Sequence, residues 1–330
     1  MKAKILSLFF TFFTTYITFG QYTDLINSNR PGESMSAYSV GKTIIQVESG
    51  ISYLSTKHEE LDYETKGMNL DLVGRYGFFI EELELIGGIN AQTDSYKNNF
   101  NPYNVIEEQR TGIKSMSFGL KYLVYDPFKN FKEKVNLYSW KANHKFKWRQ
   151  FIPAVSVYAG TNLNLKSNKF IDESEKISII SPKVMLVTQN IFNKGYVFVT
   201  NIFYDKFTND HKTIGYVITL TKGFNDNWSG FIENKGVSGD YNIDNIATLG
   251  AAYLLTKNIQ VDASISKNFK NTPDLLYGGI GISWRSDKNY KEVKYVTSKE
   301  GKKRNKDNAK NEKESKSKKR KDAIDLEKTK

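Results

Sequence analysis

Nine charged side chains lie in short segments in which apolar and polar residues alternate. All nine occupy the polar positions of that alternation. They are Glu48, Asp71, Arg75, Glu84, Lys121, Lys183, Glu233, Asp262 and Arg285. If the apolar phase meets lipid, moving a cation into that phase would cost roughly 2–4 kcal/mol near the bilayer midplane. The shared opposite phase therefore predicts that all nine line a polar pore, where such side chains select ions and form charge pairs.

Arg75 and Glu84 form the most specific pair in this set. A two-residue turn at Phe79 and Ile80 would place residue 75 directly opposite residue 84 across a hairpin. One interpretation is a charge pair that narrows the pore or selects ions within it. The alternative is a salt bridge that fixes the strand register inside a narrow barrel filled by side chains.

The elements that carry these residues are short segments with a period of two, which is the geometry of a strand. From Ile259 to Ser266, for example, the odd-numbered residues are apolar and the even-numbered residues are polar. Strands are predicted near 43–54, 68–78, 82–93, 113–125, 150–164, 177–190, 195–206, 213–223, 228–237, 246–255, 259–268 and 275–285. The pattern predicts an all-β fold, a transmembrane antiparallel β-barrel of about 12 strands. A soluble β-sandwich shows the same alternation and is the alternative.

The first twenty residues read as a secretory signal peptide. Lys2 and Lys4 precede an apolar run over residues 5–13, and Gly20 stands before a cleavage point at Gln21. The rest of the sequence has no second apolar run long enough for a membrane helix. Since the chain has no cysteine, a disulfide framework, a thiolate metal site and a lipid attachment are not expected. The predicted location is the cell outer membrane.

The chain divides into four predicted parts: the signal peptide at 1–20, an N-terminal segment at 21–42, the barrel at 43–286 and a Lys-rich disordered tail at 287–330. The N-terminal segment is interpreted as a plug or as a periplasmic lead-in. The tail holds 17 Lys and Arg against 9 Asp and Glu, so it contributes +8 of the net charge of +12. A solvated basic tail is expected to contact peptidoglycan carboxylates or anionic lipid, or to be idle. Because the protein is exported, nucleic acid is not an expected partner.

The connections between the strands provide a check on the barrel prediction. Short turns near 79–82, 192–195, 224–227 and 256–258 all follow even-numbered strands, as periplasmic turns should. Longer polar loops, beginning at Ser55 and Asp94, are assigned to the cell exterior. The connection from Asp126 to Arg149 breaks this rule, which implies either an elaborated turn or a miscounted strand.

Aromatic residues near the predicted strand ends suit interfacial girdles that contact outer-membrane lipid. They are Tyr53, Tyr76, Phe78, Phe118, Tyr122, Phe203, Trp228 and Trp284. The alternative interpretation is a slide for hydrophobic substrates. Trp284 also resembles the aromatic signal that the barrel assembly machinery recognises, so this machinery is an expected partner.

Enzymatic interpretations find little support in the residues. His58, His144 and His211 all fall in predicted connections, on different sides of the membrane, so no metal site and no catalytic residues are predicted. The stretch G-G-I-G at Gly278 lacks the third glycine and the helix of a dinucleotide loop, and no cofactor is expected. An outer-membrane hydrolase with His58 or His211 at the outer rim is the least favoured alternative.

Several stretches resemble a known family. They are N-R-P-G-E-S-M-S-A-Y-S-V-G-K-T-I-I-Q-V-E-S-G-I-S-Y from Asn29, R-Y-G-F-F-I-E-E-L-E-L from Arg75, G-L-K-Y from Gly119, the segments at Pro153 and Pro182, N-I-Q-V-D from Asn258, and the closing Y-G-G-I-G-I-S-W-R. In order and spacing, over about residues 29–286, they are similar to the outer-membrane transporter family named for the MetA pathway of phenol degradation. The resemblance implies a barrel that passes small hydrophobic compounds. The basic tail and the long connection after Asp126 depart from the family pattern.

Two functions follow from these observations. The first is an outer-membrane channel or transporter, in which the charged residues stay wet and the N-terminal segment plugs or gates the bore. The second is a structural barrel that displays loops and anchors the basic tail. In that case Arg75, Glu84, Lys121 and Asp262 should satisfy one another in a closed lumen.

Overall fold

The structure is a computed structural model, and it is a closed antiparallel β-barrel of twelve strands. It describes residues 25–100, 103, 105–129, 148–165, 168–170, 178–192, 195–208, 212–239 and 243–287. Each strand pairs with its neighbours in sequence, and β1 closes the ring against β12. The predicted signal peptide and the Lys-rich tail after Asp287 lie outside the described residues.

The strands follow one another in simple up-and-down order. They are β1 (Ile45–His58), β2 (Tyr63–Gly77), β3 (Leu83–Asn98), β4 (Ile106–Tyr125), β5 (Ala154–Leu163), β6 (Ile180–Phe192), β7 (Tyr196–Asp205), β8 (Thr213–Gly223), β9 (Trp228–Gly239), β10 (Ile243–Thr256), β11 (Ile259–Asn268) and β12 (Asp274–Ser286). Every predicted strand overlaps one of these, so the predicted fold and strand count are confirmed.

The period of two in the sequence becomes the two faces of the barrel wall. Ile51 on β1 and Ile280 on β12 pair across the closing seam, and their side chains are 54% and 67% exposed on the outer face. Gln46 and Ser283, in the opposite phase, are fully buried inside. Since a barrel leaves no strand edge unpaired, the outer face can present an apolar band to lipid without exposing backbone polar groups.

The two ends of the barrel differ in their connections. At one end, here called the short-turn end, the chain passes from β2 to β3, β6 to β7, β8 to β9 and β10 to β11 in at most five residues, as predicted. At the other end, called the loop end, the predicted long loops after Ser55 and Asp94 are wrong. β1 continues to His58, β3 continues to Asn98 and β4 begins at Ile106. Polar residues continue these strands because backbone pairing above the lipid needs no apolar face.

The connection from Asp126 to Pro153 is long, but the strand count on either side of it is right. β4 pairs directly with β5, from Met116 opposite Leu163 to Tyr125 opposite Val155. The described part of the connection includes a 3-10 helix at Trp148–Phe151. No helix in the described residues is long and apolar enough to cross a membrane.

The predicted aromatic girdle is largely on the outer face. Tyr53, Tyr76, Phe78, Phe118, Trp228 and Trp284 are between 37% and 50% exposed. Phe203 corrects the prediction, because it is 8% exposed and packs inside the barrel over Gly215. Its strand, V-F-V-T-N-I-F-Y, is apolar in both phases, so the alternation there does not reveal which face points inward.

Candidate functional site

The inner wall of the short-turn half is the candidate site. Seven of the nine predicted pore-lining residues are at most 6% exposed there: Glu48, Arg75, Glu84, Lys121, Glu233, Asp262 and Arg285. Asp71 and Lys183 are half-buried, nearer the loop end. Asp71 accepts a hydrogen bond from Asn69 (3.1 Å), and the Lys183 ammonium lies 4.9 Å from the centre of the Phe203 ring.

These seven side chains hold the chain that precedes β1. Residues 25–44, here called the lumen segment, form no barrel strand and contact inward-facing side chains of ten strands. Most of these contacts lie near the short-turn ends of the strands. Sequence reasoning identified the charged groups on the wall, but it left open whether this segment lies inside the barrel.

Arg75 is the centre of a buried charge network. Its guanidinium lies 3.0 Å from Glu48 and 2.5 Å from Glu84, and all three side chains are at most 1% exposed. Lys121 approaches Glu84 to 3.1 Å from the other side. Two cations and two anions thus balance within the lumen, which offsets the cost of removing each from water.

The predicted contact between Arg75 and Glu84 is present, but the predicted register is wrong. Arg75 lies opposite Ile86, whereas Glu84 lies opposite Gly77, so the ion pair runs diagonally across the hairpin. The turn occupies the residues between Gly77 and Leu83 rather than two residues. Phe79 adopts a φ of 58°, which side chains with a Cβ rarely adopt, and nothing in its residue type signals this turn.

The same cations bind carbonyl groups of the lumen segment. Arg75 donates to the carbonyl of Asn27 (2.8 Å), and Lys121 donates to the carbonyls of Ser36 (2.9 Å) and Tyr38 (3.0 Å). A buried carbonyl without a donor is costly, so each cation satisfies the segment as well as the wall. The charge network therefore also binds the lumen segment.

Glu233 binds the segment through its backbone amides. Its carboxylate accepts hydrogen bonds from the amides of Glu33 (2.9 Å) and Ser34 (3.2 Å), and from the Thr219 hydroxyl (2.7 Å). Gly32 makes this approach possible, since a Cβ at that position would overlap the carboxylate. The arrangement binds two consecutive backbone donors with one anion.

Three neutral side chains of the wall also bind the lumen segment, and the sequence analysis did not predict them. Asn201 accepts from the Met35 amide (2.6 Å) and donates to its carbonyl (2.9 Å), which imitates the pairing of a neighbouring strand. Gln189 accepts from the Ala37 amide (2.9 Å), and Ser156 donates to the Ala37 carbonyl (2.5 Å). Their signal was a polar residue in the inward phase of an otherwise apolar strand.

Arg30 of the lumen segment occupies a site built from glycines. Its guanidinium lies 3.3 Å from Asp262 on β11 and rests over Gly50 and Gly281, which face each other across β1 and β12. A Cβ at either glycine would overlap the guanidinium. The two glycines therefore leave the space that Arg30 needs to reach its carboxylate partner.

Gly281→Ala should loosen the lumen segment without unfolding the wall. The new methyl group would displace the Arg30 guanidinium from Asp262. Losing one partly exposed ion pair should raise the exposure of the segment roughly two- to fivefold. The measurement is the rate of maleimide labelling of a Ser34→Cys background, since the chain has no other cysteine.

The matched control is Gly74→Ala on β2. A Cβ at this position has room, because its nearest neighbour would be the Gly87 carbonyl oxygen, 4.0 Å away. This variant should label at the rate of the parent. Equal labelling rates for both alanine variants would show that Arg30 does not hold the segment.

The beginning of the segment is tied to the end of the barrel. The hydroxyls of Ser28 and Ser283 lie 2.7 Å apart, Arg285 donates to the Leu25 carbonyl (2.8 Å), and the Ile26 amide donates to the Lys257 carbonyl (2.9 Å). These contacts close the short-turn end on the side of β11 and β12.

The other end of the segment is tied to the turn between β2 and β3. The Lys42 amide donates to Glu81 (2.9 Å), and the Ser39 hydroxyl donates to the carbonyl of Glu82 (2.8 Å). Burial raises the pKa of Glu81 in this turn. The hydrogen bond from the Lys42 amide favours the charged carboxylate and offsets part of this rise. Burial also raises the pKa of Asp126, just after β4. Both ends of the lumen segment are thus fixed at the same mouth of the barrel.

An apolar cluster lies under the middle of the segment. Ala37 and Tyr38 pack with inward-facing side chains of β3 to β8, and Met35 packs against the same cluster. The wall side of the cluster comprises Ile86, Leu123, Ala154, Tyr158, Met185, Val187, Phe203 and Val217. This cluster shares β3 and β4 with the charge network, so apolar and charged side chains lie next to each other on the inner wall.

The wall and its contents contain no recognisable metal centre. Among the described residues, no group of three or more His, Asp or Glu side chains is placed to hold a metal ion. His58 ends β1, and its ring centre lies 5.1 Å from that of Tyr63. His144 and His211 lie outside the described residues.

A closed twelve-stranded barrel with an apolar outer band and a charged inner wall defines the class, a channel-type or transporter-type barrel of the bacterial outer membrane. The chain belongs to the family described as "Putative MetA-pathway of phenol degradation", whose sequence profile matches residues 28–286. This match confirms the family that the sequence resembles. No curated protein is similar enough in sequence to match the chain.

Several solved structures are similar to the chain at low sequence identity. An outer-membrane channel from Pseudomonas putida F1 is 9% identical, with a TM-score of 0.51 over 79% of this chain and 100% of that chain. The Pseudomonas putida toluene transporter TodX is 9% identical, with a TM-score of 0.42 over 83% and 100%. The translocator domain of the autotransporter NalP from Neisseria meningitidis is 11% identical, with a TM-score of 0.45 over 74% and 89%. At 9% identity, the likeness to the Pseudomonas putida F1 channel is one of fold.

Proposed function

We propose that the protein is a gated outer-membrane channel for small molecules, in which the lumen segment is the movable plug. The observation that carries the proposal is how the segment is bound within the barrel. Residues 26–40 are held mainly by side chains of the wall, at Arg75, Lys121, Gln189, Asn201 and Glu233. Such a segment can leave without breaking the backbone ladder that holds the barrel together.

The wall would remain satisfied after the segment leaves. Arg75 keeps Glu48 and Glu84 as partners, and Lys121 keeps Glu84. The groups that lose a partner, such as the Glu233 carboxylate, are polar and would be hydrated by incoming water. Opening therefore exchanges hydrogen bonds to the segment for hydrogen bonds to water, a change with a modest net cost.

The cargo that the open lumen suits is a small molecule with a ring. Withdrawal of Met35, Ala37 and Tyr38 would expose the apolar cluster, where Tyr158 and Phe203 offer aromatic rings. The charge network adjoins this cluster, since Glu84 lies on β3 and Lys121 on β4. A wall with both characters fits a molecule with an apolar body and a polar group, and the family description, which names phenol degradation, agrees with such a cargo.

We propose no enzymatic activity for this barrel. The charged side chains of the inner wall in the short-turn half are paired with one another or with the lumen segment, as Arg75 is with Glu48 and Glu84. That pairing stabilises ionised groups and provides neither an activated nucleophile nor a poised general base.

The second candidate is the structural barrel, which the same network favours in one respect: Arg75, Glu84 and Lys121 satisfy one another in a closed lumen. Single-channel recording of the refolded full chain in a planar bilayer separates the two. A gated channel should show discrete openings from a mainly closed baseline. A folded barrel that stays silent over the range of applied voltages would overturn the channel and favour the structural function.

A further inference from the structure

The loop end of the barrel contains a second site, separate from the lumen segment. A cavity of about 860 Å³ lies there, lined by inward-facing ends of strands β1 to β5 and β7 and by residues 164, 168–170 and 206. Cavities of this size bind small organic ligands. Its lining includes Thr56, Gln92 and Asn162, and none of the lining residues belongs to the lumen segment.

A β-bulge directs one cation into this cavity. In the pairing of β3 with β4, Asn90 lies opposite Ser115 and Ala91 lies opposite Ile113, so Lys114 is the extra residue. A bulge re-aims a side chain that regular pairing would place on the other face. The Lys114 ammonium donates to Gln92 (2.8 Å) and forms no ion pair with any described residue. It is therefore available to an anionic ligand.

The charges around the cavity favour an anion. Its lining includes four cationic residues: Arg110, Lys114, Lys169 and Lys206. In the described part of the chain, the lining includes a single carboxylate, that of Asp205. Asp94, which lies behind the lining, neutralises Arg110 through hydrogen bonds of 2.9 and 3.1 Å. Three lysines thus face one acid, and an excess of one sign in a recessed site concentrates ligands of the opposite sign.

The rest of the lining suits a ring with hydroxyl groups. The Arg110 guanidinium lies 4.5 Å from the ring centre of Tyr96 and 5.4 Å from that of Phe170, and Tyr63 lies beside Tyr96 at 5.8 Å. These rings form an aromatic wall. Neutral donors and acceptors complete the lining: Thr56, Thr65, Gln92, Ser115, Asn162, Asn164 and Asn168.

We propose that this cavity captures small hydroxylated rings that carry a carboxylate, with Lys114 as the residue that selects the charge. This chemistry occurs in hydroxylated aromatic acids and in acidic sugars. Capture names a substrate class for the proposed channel, and only the later passage of the ligand rests on that proposed function.

The test is equilibrium binding to the full-length barrel in detergent micelles, measured by titration calorimetry. The probes are 4-hydroxybenzoate and glucuronate, each compared with a neutral counterpart, phenol and glucose. At least one acid should bind roughly tenfold more tightly than its counterpart, as expected for one charge-assisted hydrogen bond at a partly exposed site. Which acid binds identifies the source of the ligand.

Lys114→Gln should remove this preference for the acid. The matched control is Lys267→Gln on β11, another exposed lysine near the loop end, which pairs with Asp274 outside the cavity lining. This control should keep the preference. Lys169→Gln, on a different element, is a second variant that should weaken binding of the acid if Lys114→Gln does not fold.

Two results would overturn the capture site: acids that bind no more tightly than their neutral counterparts, and equal preferences in the Lys114 and Lys267 variants. Conductance reports separately on the channel. Selective binding to a barrel that stays electrically silent would support capture and contradict the channel. Openings without selective binding would contradict capture alone.

Discussion

A disulfide between cysteines introduced at Ser28 and Ser283 should silence the channel. The hydroxyl oxygens of these residues lie 2.7 Å apart, one on the lumen segment and one on β12, so their Cβ atoms are within reach of a disulfide. The chain has no other cysteine to compete. Under oxidising conditions, Ser28→Cys/Ser283→Cys should show no openings in a planar bilayer, and a reductant should restore the openings of the parent.

The matched control ties two strands of the wall to each other. Thr248 and Ser266 face each other on β10 and β11 with hydroxyl oxygens 2.8 Å apart. Thr248→Cys/Ser266→Cys should open normally in both redox states. If the oxidised Ser28→Cys/Ser283→Cys variant still opens, ions pass without release of the segment. If the control is also silenced, the stiffness of the wall controls conduction.

Arg75→Met should produce the largest loss of stability of any single change in the lumen. It leaves Glu48 and Glu84 buried beside each other, with Lys121 as the remaining cation of the network. Removing one partner of a buried ion pair costs about 3–5 kcal/mol, and Lys121 should keep the loss near the lower limit. The measurement is the free energy of unfolding of the refolded barrel by urea. The variant should also open more often, since the Asn27 carbonyl loses one of its two donors and keeps the Gln46 amide.

Two further variants make the stability prediction specific. Arg75→Met/Glu48→Gln should recover part of the loss, because one anion and one cation then remain together in the lumen. Lys267→Met removes the same charge from an exposed pair with Asp274 and should cost about 0–1 kcal/mol. Equal destabilisation by Arg75→Met and Lys267→Met would show that burial of the network contributes nothing to stability.

The sequence predicted the barrel well because strand geometry and the membrane act on every residue in the same way. A period of two, repeated in a chain with a predicted signal peptide, left few other folds. All twelve strands and the end that carries the short turns were predicted from it. The strand lengths at the loop end were not, because pairing beyond the lipid leaves no apolar signature, as the continuation of β1 to His58 shows.

The contacts of the site were predicted only in part. The inward phase of Glu233 and Asp262 could be recognised from alternation, whereas their partners could not. Glu233 binds backbone amides, and every residue but proline has one. Asp262 binds Arg30, which is 232 residues away in the chain and lies outside any periodic pattern. The glycines that admit Arg30 looked like ordinary strand glycines until the barrel brought Gly50 and Gly281 together.

The contacts of Ser28 and Arg30 also set an order of events in biogenesis. Their partners, Ser283 and Asp262, belong to the last two strands to be synthesised. Contacts so distant in sequence form late, since the loop that joins them must close first. Ser28 and Arg30, which precede β1, are therefore expected to be among the last residues to reach their final positions. Until β12 pairs with β1, Ser28 and Arg30 lack these partners, so we expect the full docking of the segment to accompany closure of the barrel.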